Sequence, residues 1–253
     1  MRVMMRVAYD GTGYCGWQRQ PNGLTVQEVL ETHLAGLLGA PTAVIGASRT
    51  DSGVHALGNI AMFDAQTQIP AEKISYALNQ RLPEDIRIRG SREVPEDFHP
   101  RKCNAVKTYS YRIWNSRYGM PLLRDTSYFV FTRLDVPRMR EAAAHFIGTH
   151  DFTSFCSPRT DKEDKVRTIY RFDLLEDGPL LTMRISGNGF LYHMVRIMAG
   201  TLLCVGEGSL SPDDIPRILD ARDRQAAPRM VPARGLTLEE IRFEEDSLNF
   251  TEA

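Results

Sequence analysis

Polar and apolar residues alternate from Arg2 to Tyr9 and then give way to Asp10-Gly11, a pattern that predicts a β-strand closed by a turn. Thr25 stands ahead of Val26, Val29, Leu30, His33, Leu34 and Leu37, an apolar stripe at helical spacing, and predicts a capped helix through Leu38. Thr42–Ala47 and Leu57–Ala65 read as strands on either side of a polar turn, Ser48 to Gly53. Pro70 suits a first helical turn and opens a helix through Leu82. Ile86–Val94 is again a strand. The order is β-α-β-β-α-β, the ferredoxin-like arrangement.

The second half repeats this scheme with elaborations. Val106–Trp114 alternates as a strand, and Val136–Ile147 reads as a helix. Val166–Leu175 and Leu180–Ser186 form a strand pair that turns at Asp177-Gly178-Pro179. Phe190–Val205 reads as a buried helix, Ser211 caps another, and Leu236–Phe243 closes as a strand. The expected fold is therefore α+β: two ferredoxin-like units with a largely antiparallel sheet and a central cleft. The expected domains are residues 1–103 and 104–253, joined around Pro95–Cys103.

Composition narrows the class. The 253 residues are 42% hydrophobic and 25% charged, enough apolar material for a sizeable core. The four cysteines (Cys15, Cys103, Cys156, Cys204) are far apart, with no CxxC pair, which predicts reduced thiols in a cytoplasmic protein. No clustered Cys and His at zinc spacing exists, and His145 and His150 would not share a helix face. The N-terminus lacks the apolar core of a signal peptide. The most apolar stretch, Gly189 to Gly206, is short for a membrane span and carries His193 and Arg196, so no membrane partner is expected.

The formal net charge of −1 argues against a nucleic-acid partner. Its distribution softens that objection. Ten basic residues lie between Arg81 and Arg124 against five acidic ones, while the chain after Gly235 is acidic, so a basic face and an acidic tail cancel in the sum.

Five segments carry candidate chemistry. Ser48-Arg49-Thr50-Asp51-Ser52-Gly53-Val54-His55 sits between two strands, where a rigid scaffold presents catalytic carboxylates; the bland reading is an ordinary Asx or Ser/Thr turn. Arg196 is the only charge in its apolar helix and must either snorkel out or meet a carboxylate. A guanidinium partner would keep Asp51 ionised, as a carboxylate nucleophile requires. Tyr109 and Tyr111 share one strand face, suited either to base stacking or to the core. Tyr14-Cys15-Gly16-Trp17-Gln18-Arg19-Gln20 and Phe98-His99-Pro100-Arg101 present aromatic and hydrogen-bonding groups that suit sugar, phosphate or base edges, or a packed loop.

Together these segments resemble the tRNA pseudouridine synthase A family. The matching elements run in family order: Tyr9-Asp10-Gly11, Gly16-Trp17-Gln18-Arg19-Gln20, Arg49-Thr50-Asp51-Ser52-Gly53-Val54-His55, Phe98-His99-Pro100-Arg101 and Lys107-Thr108-Tyr109-Ser110-Tyr111. They continue with Asp151-Phe152-Thr153-Ser154-Phe155, Phe190-Leu191-Tyr192-His193-Met194-Val195-Arg196 and Gly235-Leu236. The resemblance implies a cofactor-free, metal-free isomerase that converts uridines at positions 38 to 40 of the tRNA anticodon arm and acts as a homodimer. By the same resemblance Asp51 is the nucleophile, Arg196 its partner, and Tyr109 the ring that packs on the target uracil. Arg49 helps hold the flipped nucleotide, and Arg101, His99, Trp17 and Arg19 are expected to contact tRNA. Ser48 stands where the family usually has glycine. Two rival readings fit the same residues. One is a non-catalytic RNA-binding protein on ferredoxin-like sheets. The other is a hydrolase, which would normally need a second carboxylate that no motif supplies.

Overall fold

In the computed structural model, residues 1–160 and 162–250 are described, and among them are ten strands and five α-helices. In chain order these are β1 (Arg2–Tyr9), α1 (Val26–Leu38), β2 (Ile45–Gly46), β3 (His55–Asp64), α2 (Ala71–Asn79) and β4 (Ile86–Val94). Then come β5 (Ala105–Asn115), β6 (Tyr128–Val130), α3 (Val136–Ala144), β7 (Gly148–Asp151), β8 (Val166–Asp177) and β9 (Leu180–Gly187). The series ends with α4 (Met194–Gly206), α5 (Asp214–Ala221) and β10 (Leu236–Phe243). The class is mixed α+β with mostly antiparallel pairing. The chain divides into two compact units, Met1–Ala105 with Leu238–Ala253, and Val106–Thr237. Residues from Leu238 onward thus group with the first unit, whereas a division at 103/104 places them in the second. The reason is that β10 lies beside β3.

In the first unit the strand order is β4-β1-β3, with β2 pairing β3 antiparallel and β10 also beside β3. Val3, Met5, Val7 and Tyr9 occupy one face of β1 and are buried. On β4, Ser91 opposes Met5 and accepts from Ser75 N in α2 at 2.8 Å, so this is the face that carries the helix. Thr25 caps α1 as expected, its hydroxyl accepting from Glu28 N at 3.3 Å. The strand expected over Thr42–Ala47 contracts to Ile45–Gly46. Its neighbour Val44 is satisfied by side chains instead of a ladder: Val44 N donates to Glu31 Oε1 at 3.1 Å, and Gln27 Nε2 donates to Val44 O at 3.1 Å. Helix α2 stops at Asn79, where Arg81 N and Leu82 N both turn back onto Leu78 O.

The second unit has the strand order β5-β9-β8-β7, antiparallel throughout, with β6 running parallel to β5. Tyr109 opposes Ile185, Tyr111 opposes Met183, and Ile113 opposes Leu181. Phe172 and Leu174 of β8 continue the first two of these three rows, giving a buried face of aromatic and aliphatic residues. Helix α4 begins at Met194, four residues later than the apolar run suggests, because His193 adopts the left-handed conformation (φ 66°) and interrupts it. Ser211 does not cap α5. Asp214 in the first turn instead accepts from Ser211 N at 2.7 Å. No helix among the described residues is long and apolar enough to cross a membrane.

Candidate active site

The turn between β2 and β3 is pinned to the segment 14–17 through its backbone. Trp17 N donates to Thr50 O at 3.0 Å, Gly53 N to Tyr14 O at 3.3 Å, and Ser52 Oγ to Tyr14 O at 3.2 Å. Within the turn, Val54 N donates to Asp51 O at 3.1 Å. This approach requires glycine at position 16. Its φ is 85°, and a Cβ there would lie 2.6 Å from Thr50 O. Tyr14 ties the segment to the sheet end by donating its phenol to Asp85 Oδ1 at 2.7 Å; burial, and then that bond, push the phenol pKa up. The result is a half-buried Asp51 on a backbone bound at several points.

Side chains brace the turn from beneath. The hydroxyls of Tyr9 and Thr50 share a 2.7 Å hydrogen bond. Asn59 Nδ2 donates to Ser48 O at 3.0 Å and to Tyr9 OH at 3.4 Å. His55, also buried, places Nδ1 3.1 Å from both Gly11 N and Asp10 Oδ1. One nitrogen serves only one of these at a time, accepting from Gly11 when unprotonated and donating to Asp10 when protonated. Burial pushes the Asp10 carboxyl up, but bonds from the Thr12 hydroxyl and amide, with His55, outweigh it and hold the group below the usual carboxylate range. Sequence reasoning did not single out Tyr9 or Asn59 as supports. The only signal was a polar residue, Asn59, inside an apolar strand.

The remaining expected contacts of this unit separate into three kinds. Arg49 is exposed, and its Nη1 donates to Gln18 Oε1 at 3.3 Å. Arg101 Nε donates to Gly46 O at 2.7 Å, and His99 Nδ1 accepts from Arg101 N at 3.2 Å. Burial, then the charge of Arg49, lower the Arg101 pKa, so two guanidinium groups lie within electrostatic reach on the same unit as Asp51. Arg19 is a surface residue that pairs with Glu31 at 3.4 Å and Glu28 at 3.9 Å, contacts worth at most about 1 kcal/mol. Trp17 corrects the sequence reading. Its exposure is 0%, and it lies 5.9 Å from Tyr9 between ring centroids and against Gly46, so it packs the turn and has no surface to offer a nucleotide.

In the second unit Tyr109 is 7% exposed and meets Phe190 edge-on at 5.1 Å between centroids, a contact worth about 0.5–1.5 kcal/mol. Tyr111 is fully buried, and its phenol donates to Pro232 O at 2.8 Å. Burial pushes that phenol up, while nearby Arg196 acts in the opposite direction. Arg196 lies in the first turn of α4, half-buried, with Nε donating to Val231 O at 2.9 Å; Val231 N in return donates to Arg196 O at 3.3 Å. The segment Arg229–Pro232 therefore runs along α4 and orients the Arg196 side chain. It passes so close that a Cβ on Gly200 would lie 2.0 Å from Arg229 O. Among the described residues no group of three or more His, Cys, Asp or Glu is placed to hold a metal ion.

Comparison with known proteins agrees with these motifs. A family model described as tRNA pseudouridine synthase matches residues 5–101 and 142–244. A tRNA pseudouridine synthase A of Acetivibrio thermocellus is 46% identical over 241 residues, covering 95% of this chain and 99% of that protein. One from Bacillus subtilis is 46% identical over 246 residues, covering 96% of this chain and 100% of that protein. A chain in the crystal structure of a Cbf5-Nop10-Gar1 complex is 14% identical, with a TM-score of 0.36 over 79% of this chain and 45% of that one, too slight a likeness to carry weight. By the extent of the family match and of the full-length relatives, this chain belongs to the tRNA pseudouridine synthase family of isomerases.

Proposed function

We propose that the protein converts uridine to pseudouridine in the anticodon stem-loop of tRNA, at positions 38 to 40, with Asp51 as nucleophile. The observation that carries this reading is the Asp51 turn: a half-buried carboxylate on backbone bonded to Tyr14 and Trp17. A nucleophile needs that fixity, since small displacements cost rate steeply. The reaction breaks the N1–C1′ bond and forms C5–C1′. The proton lost from C5 is balanced by one gained at N1, so no electrons are exchanged. An ionised Asp51 serves it by attack on C1′, by attack on C6 or by removal of a ribose proton. Each route requires the base to leave the stack, at a cost of a few kcal/mol.

Arg196 is the proposed ionic partner of Asp51, and Tyr109 the proposed platform for the flipped uracil. Arg49, Arg101, His99 and Arg19 are proposed contacts for tRNA, with the phosphates as the natural ligands of the three arginines. A homodimer acting in the cytoplasm belongs to the same proposal and rests on the family. The rival of a purely RNA-binding protein gives Asp51 no task.

The test is mass-spectrometric mapping of pseudouridine in unmodified tRNA incubated with the wild-type protein and with Asp51→Ala. Product in the anticodon arm that disappears with Asp51→Ala is the expected result. Wild-type product elsewhere in the RNA overturns the assigned site, and undiminished product with Asp51→Ala overturns the nucleophile.

A further inference from the structure

We infer that Tyr9 and Asn59 are a positioning pair for Asp51, an inference that rests on the nucleophile reading above. Both come from the helix-covered side of the first unit's sheet, Tyr9 at 4% exposure and Asn59 at 0%. Neither is placed to meet tRNA. What they touch is the two alternate residues that lead into the nucleophile. Asn59 Nδ2 holds the carbonyl of Ser48 at 3.0 Å, and the Tyr9 hydroxyl holds the hydroxyl of Thr50 at 2.7 Å. Thr50 is thereby fixed on two sides, because its carbonyl also accepts from Trp17 N. The weaker 3.4 Å bond from Asn59 to Tyr9 OH joins the two supports.

Asn59 also carries a cost. Its Oδ1 is buried without a hydrogen-bond partner among the described residues, and the amide cannot simply be turned over, since that would set Oδ1 against Ser48 O. A buried acceptor left unmade weakens the fold. An apolar residue of similar size would avoid that cost but orphan Ser48 O instead, and since the two offset, folding alone does not explain asparagine here. Orientation of the turn does: the amide is the group that reaches Ser48 O and Tyr9 OH together.

The experiment compares Tyr9→Phe and Asn59→Leu with wild type in three readouts: single-turnover rate at saturating tRNA, tRNA Kd, and melting temperature. Tyr9→Phe keeps the ring that packs on Trp17 and removes only the hydroxyl. The expected result is a rate about tenfold lower in each variant with Kd within about twofold, the signature of an effect confined to the reacting geometry. Asn59→Leu is further expected to melt close to wild type, because losing the orphaned Oδ1 offsets losing the donor to Ser48 O. Wild-type rates in both variants overturn the inference. So do losses of rate, affinity and melting temperature that move together, which is what a merely structural role produces. Asp51→Asn is run alongside. If it turns over normally, the nucleophile reading falls and takes the pair's stated purpose with it. If it is inactive while Tyr9→Phe and Asn59→Leu keep wild-type rates, the positioning pair alone is overturned.

Discussion

Asp51 in the first unit rides on a turn shaped by backbone: Trp17 N on Thr50 O, Gly53 N on Tyr14 O, and a side chain that is missing at Gly16. Tyr109 and Arg196 in the second unit are instead held through their own side chains: the Tyr109 ring against Phe190, and the Arg196 guanidinium on the backbone carbonyl of Val231. The difference matches the demands placed on each residue in the proposed reaction. A nucleophile must be placed to a fraction of an ångström, which backbone hydrogen bonds on several sides provide. A ring that receives a base and a guanidinium that meets a carboxylate need a preferred orientation and some freedom to adjust. The two designs should therefore fail in different ways.

Arg196→Met is expected to have the largest effect of the substitutions that follow. It removes the charge proposed to pair with Asp51 and the bond to Val231 O, and keeps a long apolar stem in the helix. Turnover should fall on the order of 10² to 10³-fold, the range for losing one preorganised donor, with a smaller loss of tRNA affinity. Full activity in Arg196→Met would remove the charge pairing from the comparison and leave Arg196 as a structural residue of α4.

Gly16→Ala tests the backbone design. A Cβ 2.6 Å from Thr50 O, on a residue with φ of 85°, forces the 14–17 segment off the turn. The strain should cost about 1–3 kcal/mol of stability, and displacement of Asp51 should reduce turnover roughly a hundredfold. Gly200→Ala is its counterpart in the second unit. There the clash with Arg229 O should cost at least about 2 kcal/mol and shift the segment that orients Arg196, for roughly a tenfold loss of turnover. Turnover and thermal denaturation measured on the pair decide the matter. If Gly200→Ala proves the slower enzyme, the side-chain-built unit is the less tolerant one and the comparison is reversed.

Where local patterns act alone, the sequence predicted structure to the residue. Strands β1, β4 and β10 and the capped helix α1 have the expected limits, because alternation and an N-cap are local signals. The misses come from longer-range partners. Nothing in Thr42–Ala47 announces that Glu31 and Gln27 will satisfy Val44 in place of a neighbouring strand. Apolar periodicity from Phe190 cannot reveal that His193 turns left-handed. The three-residue β6 and the polar β7 carry too little alternation to be noticed. In the candidate site, the Arg49-Thr50-Asp51 segment was legible as a motif, whereas its supports Tyr9 and Asn59 were not, since they look like ordinary strand residues. Trp17 misled because an aromatic in a polar loop reads the same whether it is displayed or packed.

Tyr111→Phe should have the smallest effect, and it isolates the second unit's scaffold from its candidate chemistry. The phenol is buried and donates to Pro232 O, next to the Val231 carbonyl that receives Arg196. Removing the hydroxyl leaves the Pro232 carbonyl without that donor at a cost of about 1 kcal/mol, a fall of about 2–4 °C in Tm for a chain of this size. The bond from Arg196 and the bonds from Arg229 Nη2 to both carboxylate oxygens of Glu207, at 2.7 and 2.8 Å, still hold the segment in place. Turnover should therefore stay within about twofold of wild type at temperatures well below the transition. A turnover loss as deep as that of Arg196→Met, at unchanged tRNA affinity, would mean that Tyr111 is what aims Arg196. The second unit would then depend on one buried hydrogen bond as closely as the first depends on its backbone.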